Sequence, residues 1–245
     1  MENIELAARR HQMGESLAVL SSAGPRPYCE NGIGYWIAMS GVASPDANVA
    51  LVDVNDPQVR DHVLRVVDAV SLPTTLVLAG EALEMDLGDA WRHQGDMPLM
   101  AISLSATEVS HDSRVRVATA HDVETVSELL ASAYGIGHDE SDAVAAFVHR
   151  ERDDGTIWLL EDESRSVATV FTAVIDDAVC VWSLATPARY ARHGYARALL
   201  ADVLAHARDG GADVGLLGAT PAGESLYRRA GWTTIETWRM FALTE

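Results

Sequence analysis

The chain is poor in cysteine, in basic residues and in long apolar runs, and each shortage argues against a class of protein. Only two cysteines occur among the 245 residues. Neither belongs to a Cys-x-x-Cys pair or a Cys/His cluster, so the sequence predicts no metal site. Lys and Arg number 18 against 36 Asp and Glu, which gives a formal net charge of −18. Such a surface repels phosphate backbones and anionic lipids, so we expect neither a nucleic-acid nor a membrane partner.

Targeting and membrane segments are also absent from the printed sequence. No apolar stretch approaches the length of a membrane span, and the first residues lack the basic-then-apolar pattern of a secretion signal. We therefore expect a cytoplasmic protein, either a monomer or a homodimer. Hydrophobic residues make up 48% of the chain, which is enough to build a core.

A polar stretch without periodicity divides the chain into two better patterned parts. We predict a first domain at residues 1–104, a linker at 105–113 and a second domain at 114–245. The second part reads β-α-α-β-β-β-α-β-α-β, an α+β fold whose mixed, mostly antiparallel sheet is covered by helices. Its predicted strands are 114–119, 156–160, 167–175, 178–184, 214–217 and 233–243, and its predicted helices are 121–134, 139–152, 196–208 and 223–229.

The first part holds a weaker copy of this pattern. The apolar run at 48–54 echoes 178–184, and the run at 76–80 echoes 216–219. The offset grows from about 130 residues at the first pair to about 139 at the second, so the second copy has extra residues between strand and helix. Those extra residues fall on 187–194. Residues 87–91 and 98–101 loosely echo the final helix and strand. We therefore predict two halves of one fold, of which only the second carries the longer loop.

That loop has the chemistry of a phosphate-binding turn. A strand ends near Leu184, a basic turn follows, and an amphipathic helix begins near Ala196. This order directs the N-terminus of a helix and several free backbone N–H groups at one spot, where an anion can bind. Gly194 and Ala196 lack bulk, so an anion can approach the backbone closely. Positive charge in an otherwise acidic chain comes from Arg192, Arg197 and, when protonated, His193.

Residues 191–196 resemble the signature Q/R-x-x-G-x-G/A of the GCN5-related N-acetyltransferase (GNAT) family, which cradles the pyrophosphate of acetyl-CoA. They match it at Gly194 and Ala196 and depart from it at Ala191, where the family has Gln or Arg. Residues 219–232 are similar to the closing helix of the family, with its Leu-Tyr and then Gly-aromatic pairs. The resemblance covers residues 114–245 and implies tandem GNAT-like domains, with the first degenerate.

What the resemblance implies for chemistry is the transfer of an acetyl group from acetyl-CoA, a co-substrate, directly to an amine, with no metal. Tyr227 matches the tyrosine that protonates the departing thiolate. No general base is identified; Ser183, Glu161 and Glu236 are open alternatives, as is water. The implied coenzyme-binding residues are Leu184, Ala185, Thr186, Arg192, His193, Gly194, Tyr195, Ala196 and Arg197.

The sequence leaves the acceptor open. The negative charge favours a small, cationic amine as the acceptor partner. Two alternatives are a non-catalytic acyl-CoA-binding or regulatory protein and an enzyme that acetylates protein N-termini or lysines. Other motifs do not indicate a functional site. Gly32-Ile33-Gly34 is predicted to be a turn, residues 138–140 the acidic start of a helix, and His111 a solvated linker residue.

Overall fold

The computed structural model describes residues 3–150 and 154–243. Its helices are α1 (Asn3–Ser21), α2 (Pro57–Val70), α3 (Val123–Tyr134), α4 (His138–Ala145), α5 (Tyr195–Asp209) and α6 (Glu224–Arg229). Its strands are β1 (Tyr28–Gly32), β2 (Tyr35–Met39), β3 (Asn48–Val52), β4 (Thr75–Leu78), β5 (Trp91–Ser103), β6 (Val115–Val117), β7 (Gly155–Asp162), β8 (Arg165–Ile175), β9 (Ala178–Ala185), β10 (Val214–Gly218) and β11 (Thr233–Leu243).

These strands form one sheet in the order β1-β2-β3-β4-β11-β5-β10-β9-β8-β7-β6. Each half contributes one parallel pair, β3 with β4 and β9 with β10, and the other described pairs are antiparallel. Helices α1, α3 and α4 pack on one face, while α2, α5 and α6 pack on the other. None of the helices in the described residues is both long and apolar enough to cross a membrane.

Two long strands cross between the halves. Strand β5 comes from the first half but lies beside β10, and β11 comes from the second half but lies beside β4. The two strands also pair with each other along almost their whole length. The pairing of Met240 with Val77 repeats that of Ala101 with Leu216, at the spacing seen in the sequence echo. The last strand of each half therefore completes the sheet of the other.

Helix α1 contacts strands of both halves. Gly14 lies so close to Trp36 of β2 that an added Cβ would stand 2.4 Å from the indole. On the other side, Ser16 accepts a 2.8 Å hydrogen bond from the indole of Trp182 on β9. Because α1 is buried on more than one side, its sequence lacks a single apolar stripe, and periodicity does not reveal it.

The predicted order of elements in the second half is confirmed, and the tandem, mixed-sheet fold with it. Helix α4 is shorter than predicted, since it ends at Ala145 and a 3-10 turn follows over Ala146–His149. The predicted end of that helix at Arg152 lies outside the described residues. The acidic residues at 139–140 do lie in its first turn.

In the first half, the echoes at β3 and β4 are confirmed as the parallel pair of that half. The echo of a final helix at 87–91 is wrong, because this stretch is a turn that leads into β5. Residues 33–34 form the predicted turn, between β1 and β2. The hairpin itself was not predicted, since β1 is short and exposed and carries no alternating pattern.

The close approach of α1 to β2 makes Gly14→Ala a test of the packing. Alanine favours a helix interior over glycine by about 1 kcal/mol, but the new methyl group would collide with the buried Trp36. We expect a net loss of about 1–3 kcal/mol in the free energy of unfolding, as overpacked cores show. Urea unfolding followed by tryptophan fluorescence measures it.

Gly137→Ala is the matched control, since a Cβ at Gly137 meets nothing within 4 Å. Its midpoint of unfolding should stay close to that of the parent chain. A Gly14→Ala protein as stable as the parent would contradict the tight contact between α1 and β2.

Candidate functional site

The turn between β9 and α5, residues 186–194, brings a row of backbone N–H groups to the start of a helix. Arg192 and Gly194 both adopt left-handed backbone, with φ of 67° and 84°. Among the described residues, the N–H groups of 192–197 find no acceptor, and Gly194 offers α5 no side-chain cap. The space beside Gly194 is open, because an added Cβ would meet nothing within 4 Å. A phosphate group is the natural occupant of such a turn.

The side chains around the turn contribute unequally. Arg192 and Arg197 are exposed, and in the described part of the chain neither forms an ion pair. His193 stacks on the ring of Tyr195, with 5.5 Å between the centroids. The hydroxyl of Tyr195 donates a 2.5 Å hydrogen bond to Asp162, which raises the pKa of the phenol. Tyr195 therefore presents its N–H group to the turn, while its hydroxyl is engaged elsewhere.

Next to the turn, β9 and β10 separate and open a gap in the sheet. Their parallel pairing ends at Cys180 and Leu216, well before the end of β9. Beyond that point β9 carries an irregularity in its register against β8, and Ser183 adopts a φ of 54°. A bulge of this kind bends a strand and increases its twist. Residues 184–186 therefore lead away from β10 with one edge of their backbone unpaired by that strand.

Two polar groups mark this gap. The hydroxyl of Tyr134, at the end of α3, donates a 2.8 Å hydrogen bond to the carbonyl oxygen of Leu184. The hydroxyl oxygen of Thr186 is buried and has no hydrogen-bond partner among the described residues. A buried hydroxyl without a partner is unfavourable, so this atom is suited to a ligand that enters the gap. Sequence reasoning missed Tyr134, since only its place at the end of a helix sets it apart.

Tyr227 lies on α6 and is largely buried. Burial raises the pKa of its phenol to about 12, so the hydroxyl keeps its proton at neutral pH. Packing and the nearby Tyr227 also raise the pKa of Tyr134, although 46% of that residue remains exposed. The start of α6 is fixed by Thr220, whose hydroxyl accepts a 3.2 Å hydrogen bond from the N–H of Gly223. The two phenols therefore form a neutral, proton-bearing pair close to the gap.

The carboxylates considered as bases are occupied. Glu161 accepts a 2.7 Å hydrogen bond from Arg116 at the edge of the sheet. Glu236 lies on β11, the strand that completes the sheet of the first half, and its carboxylate pairs with the guanidinium of Arg10 at 2.6 Å. Ser183 lies in the bulge of β9. The geometry thus gives neither carboxylate the freedom that a general base needs.

The corresponding place in the first half is closed. Strands β3 and β4 stay paired to their ends, and the N–H of Ala79 continues the ladder with a 3.0 Å bond to Val52. The N–H of Glu81 adds a further 3.1 Å bond to Asp53. The chain passes from β3 to α2 through residues 53–56 only, whereas it passes from β9 to α5 through 186–194. The first half has neither the gap nor the turn.

In the first half, the buried guanidinium of Arg10 lies at the place that corresponds to the gap between β9 and β10. Arg10 of α1 forms ion pairs with Asp53 at 3.0 Å and with Glu236 at 2.6 Å. Glu236 also accepts hydrogen bonds from the N–H of Gly80 and from the indole of Trp238. The carboxylates raise the pKa of Arg10 against the opposing effect of burial. A cavity of about 590 Å³ remains beside this group, and the guanidinium and carboxylates line it.

A cluster of two histidines and one aspartate lies where the linker meets α5, away from the turn. It consists of His111, Asp202 and His206, whose donor atoms all lie within 4.8 Å of one another. The sequence predicted no metal site, because His111 is far along the chain from the other two. The spacing of Asp202 and His206, four residues apart on one helix, was the available signal.

Comparison with known proteins bears on both halves. Residues 123–232 match the model of the Acetyltransferase (GNAT) family. No curated protein matches the sequence closely enough to count as a relative. Among solved structures, the chain is similar to a GCN5-related N-acetyltransferase from Kribbella flavida, at 18% identity and a TM-score of 0.69, over 98% of this chain and 95% of that one.

Two more distant structures share the fold. A GCN5-related N-acetyltransferase from Sphaerobacter thermophilus is 16% identical, with a TM-score of 0.58 over 85% of this chain and 76% of that one. Saccharomyces cerevisiae N-myristoyltransferase with bound myristoyl-CoA is 9% identical, with a TM-score of 0.58 over 85% of this chain and 63% of that one. Residues 123–232 of this chain thus match the GNAT acetyltransferase family, and the whole chain has a tandem GNAT-like fold.

Proposed function

We propose that this protein transfers an acetyl group from acetyl-CoA directly to the amine of a small, cationic acceptor. The observation that carries the proposal is the row of unpaired N–H groups at residues 192–197, where the turn meets α5 beside the gap between β9 and β10. The match of residues 123–232 to the GNAT family supports acyl transfer from the coenzyme. The N-myristoyltransferase with the same fold was solved with an acyl-CoA bound, which also supports a coenzyme ligand.

The pyrophosphate of acetyl-CoA binds the N–H groups of residues 192–197, and Arg192 and Arg197 add charge. The coenzyme's pantetheine arm then lies in the gap along residues 184–186, where the Thr186 hydroxyl supplies a hydrogen bond. His193 and Tyr195 contribute through the backbone, since their rings stack on each other. An extended arm with amide groups fits a strand edge that lacks a partner strand.

In the reaction, the lone pair of the amine attacks the thioester carbonyl carbon. The carbonyl becomes an oxyanion, which a backbone N–H of the 184–186 segment stabilises. The tetrahedral intermediate collapses, the carbon–sulfur bond breaks, and the thiolate takes the proton of Tyr227. The desolvation that holds the pKa of Tyr227 at about 12 also makes a thiolate beside it a stronger base. The amine loses its extra proton to water, because Glu161 and Glu236 are bound to arginines.

We retain the division into a domain at 1–104, a linker at 105–113 and a domain at 114–245, with β5 and β11 exchanged between the domains. The first domain binds no coenzyme in this proposal, because Arg10 and the paired strands occupy the corresponding place. Its role is to complete the sheet and to shape the acceptor side of the cleft.

The acceptor follows from charge. With a net charge of −18, the surface draws cations toward the cleft. The alternative of a non-catalytic acyl-CoA-binding protein is favoured by Ala191, which replaces the Gln or Arg of the family signature. It is also favoured by the pairing of both candidate carboxylates, Glu161 and Glu236, with arginines. An acetylation assay over amines, peptides with free N-termini and lysine peptides separates these possibilities. Coenzyme binding without turnover on any of them would support the non-catalytic protein.

The closed first half predicts that one chain binds one CoA. In a calorimetric titration we expect one equivalent for the parent chain, and Gly194→Val should lower the affinity at least about tenfold, or 1.4 kcal/mol. The valine both strains the left-handed backbone and obstructs the open approach to the turn.

Gly88→Val is the matched control for the affinity measurement. Gly88 also has a positive φ, of 76°, and open space around it, but it lies in a turn of the first half. It should bind CoA like the parent. Two equivalents of CoA bound per chain would contradict a degenerate first half. Equal losses of CoA affinity in both variants would show that the turn is not part of the coenzyme site.

The acid role of Tyr227 predicts a selective loss of rate. Tyr227→Phe should lower kcat about 10²-fold, the lower end for general acid catalysis, with little change in the affinity for CoA. Because the pKa of Tyr227 is about 12, the acid stays protonated at lower pH, so its titration should cause no fall in rate between pH 6 and about pH 10.

Tyr28→Phe serves as control, since Tyr28 lies on β1 in the first half and, within the described part of the chain, its hydroxyl donates only to Glu30. Both variants should be assayed across pH with a saturating acceptor. If Tyr227→Phe turns over at the parent rate throughout, Tyr227 is not the acid.

A further inference from the structure

The cluster of His111, Asp202 and His206 is built from two separate parts of the chain. Asp202 and His206 lie one turn apart on the same face of α5. His111 comes from the linker between the halves, and its ring meets that of His206 edge-on, with 4.4 Å between the centroids. The linker is therefore held against the helix by two imidazoles that share one carboxylate.

The carboxylate at the centre is buried and incompletely satisfied. Asp202 is 1% exposed, and its Oδ1 accepts a 2.7 Å hydrogen bond from the N–H of Asp112. Its Oδ2 has no hydrogen-bond partner in the described residues, although it lies 3.0 Å from Nδ1 of His206. An ionised, buried oxygen without a partner is unfavourable unless a cation compensates it. The atoms that face it are nitrogens of imidazoles, which are ligands in their neutral form.

The distances suit a single small cation. Zinc binds nitrogen and oxygen at about 2.0–2.2 Å, so two ligands of one tetrahedral ion stand about 3.4 Å apart. Here Nδ1 of His111 lies 3.5 Å from Asp202 Oδ1, and Nδ1 of His206 lies 3.0 Å from Oδ2. The set of donor atoms spans no more than 4.8 Å. Nδ1 of His206 also lies 3.1 Å from the backbone carbonyl oxygen of Asp202, so an ion bound among the three residues draws this nitrogen away from that oxygen and the ligands closer together.

The surroundings also hold the imidazoles in orientation. The second nitrogen of His111, Nε2, is 3.0 Å from a carboxylate oxygen of Asp209. A carboxylate that accepts the other N–H of a ligating histidine is the usual outer support of a metal site, since it fixes the tautomer and raises ligand basicity. The ring of His206 packs against Trp158, with 4.9 Å between the centroids.

We propose that His111, Asp202 and His206 bind one divalent transition-metal ion of the zinc class. Two imidazoles and one carboxylate favour such an ion over Mg²⁺ or Ca²⁺, which prefer oxygen ligands alone. Asp202 lies about 12 Å along α5 from Gly194 at 1.5 Å per residue, so the ion has no part in acyl transfer. It ties the linker to α5 and thereby fastens the connection between the two halves.

Cobalt(II) is the probe, because its visible absorption reports nitrogen and oxygen coordination directly. The full chain without a histidine tag, freed of metal by a chelator and dialysis, is titrated with Co²⁺ and then with competing Zn²⁺. We expect one Co²⁺ per chain, displaced by Zn²⁺, and an increase in the midpoint of thermal unfolding with either ion. His111→Gln and His206→Gln should each weaken binding at least about tenfold.

His93→Gln is the matched control, since His93 is paired with a carboxylate of Asp96 at 2.9 Å but lies on β5, away from the cluster. It should bind Co²⁺ like the parent. His111 lies on the linker, so its variant is testable even if loss of the His206 contact with Trp158 impairs folding. An unaltered Co²⁺ titration in the His111 variant, or no binding by the parent chain, would overturn the site and leave a plain ion-paired cluster.

Discussion

The pairing of β5 with β11 is the interaction on which the rest of the structure depends. Each strand belongs to one half by sequence and completes the sheet of the other, so neither half has a finished sheet alone. The hydrogen bonds between them run from Thr233 and Ala101 to Leu243 and Trp91. An unpaired strand edge exposes a row of polar groups, and this exchange removes two such edges at once. Helix α1 reinforces the join, because it packs on strands from both halves.

Within this common frame the two halves differ at the end of their parallel strands. In the second half, the bulge at Ser183 bends β9 away from β10 and leaves backbone groups without a partner strand. In the first half the ladder continues to Val52 and beyond, and the guanidinium of Arg10 lies beside the ends of these strands. A buried guanidinium is tolerated only because Asp53 and Glu236 compensate its charge. Glu236 comes from β11, so the exchanged strand itself helps to close the first half.

Helix α5 connects the features of the second half. Its N-terminus follows the turn that we propose binds the pyrophosphate. Its buried face packs on the sheet through residues such as Leu199 and Val203, and its second half carries Asp202 and His206. The helix dipole adds to the effect of the free N–H groups at the first of these places. One helix thus carries the end of the turn, the core contacts and the pair of Asp202 and His206. A contact that fixes the linker to α5 therefore also stabilises the helix that supports the turn.

The elements of the second half, the turn at Gly194 and the missing loop of the first copy could all be predicted from the sequence, because periodicity, turn residues and spacing are local signals. It also selected Tyr227 by resemblance. Features that depend on residues far apart in the chain became visible only in the folded protein. The exchange of β5 and β11 follows from pairing that neither strand's pattern encodes, and α1 escaped notice because it is buried on several sides. The ion pair of Arg10 with Glu236, the contact of Tyr134 with Leu184 and the meeting of His111 with Asp202 all join distant segments, which only the folded chain brings within hydrogen-bonding distance.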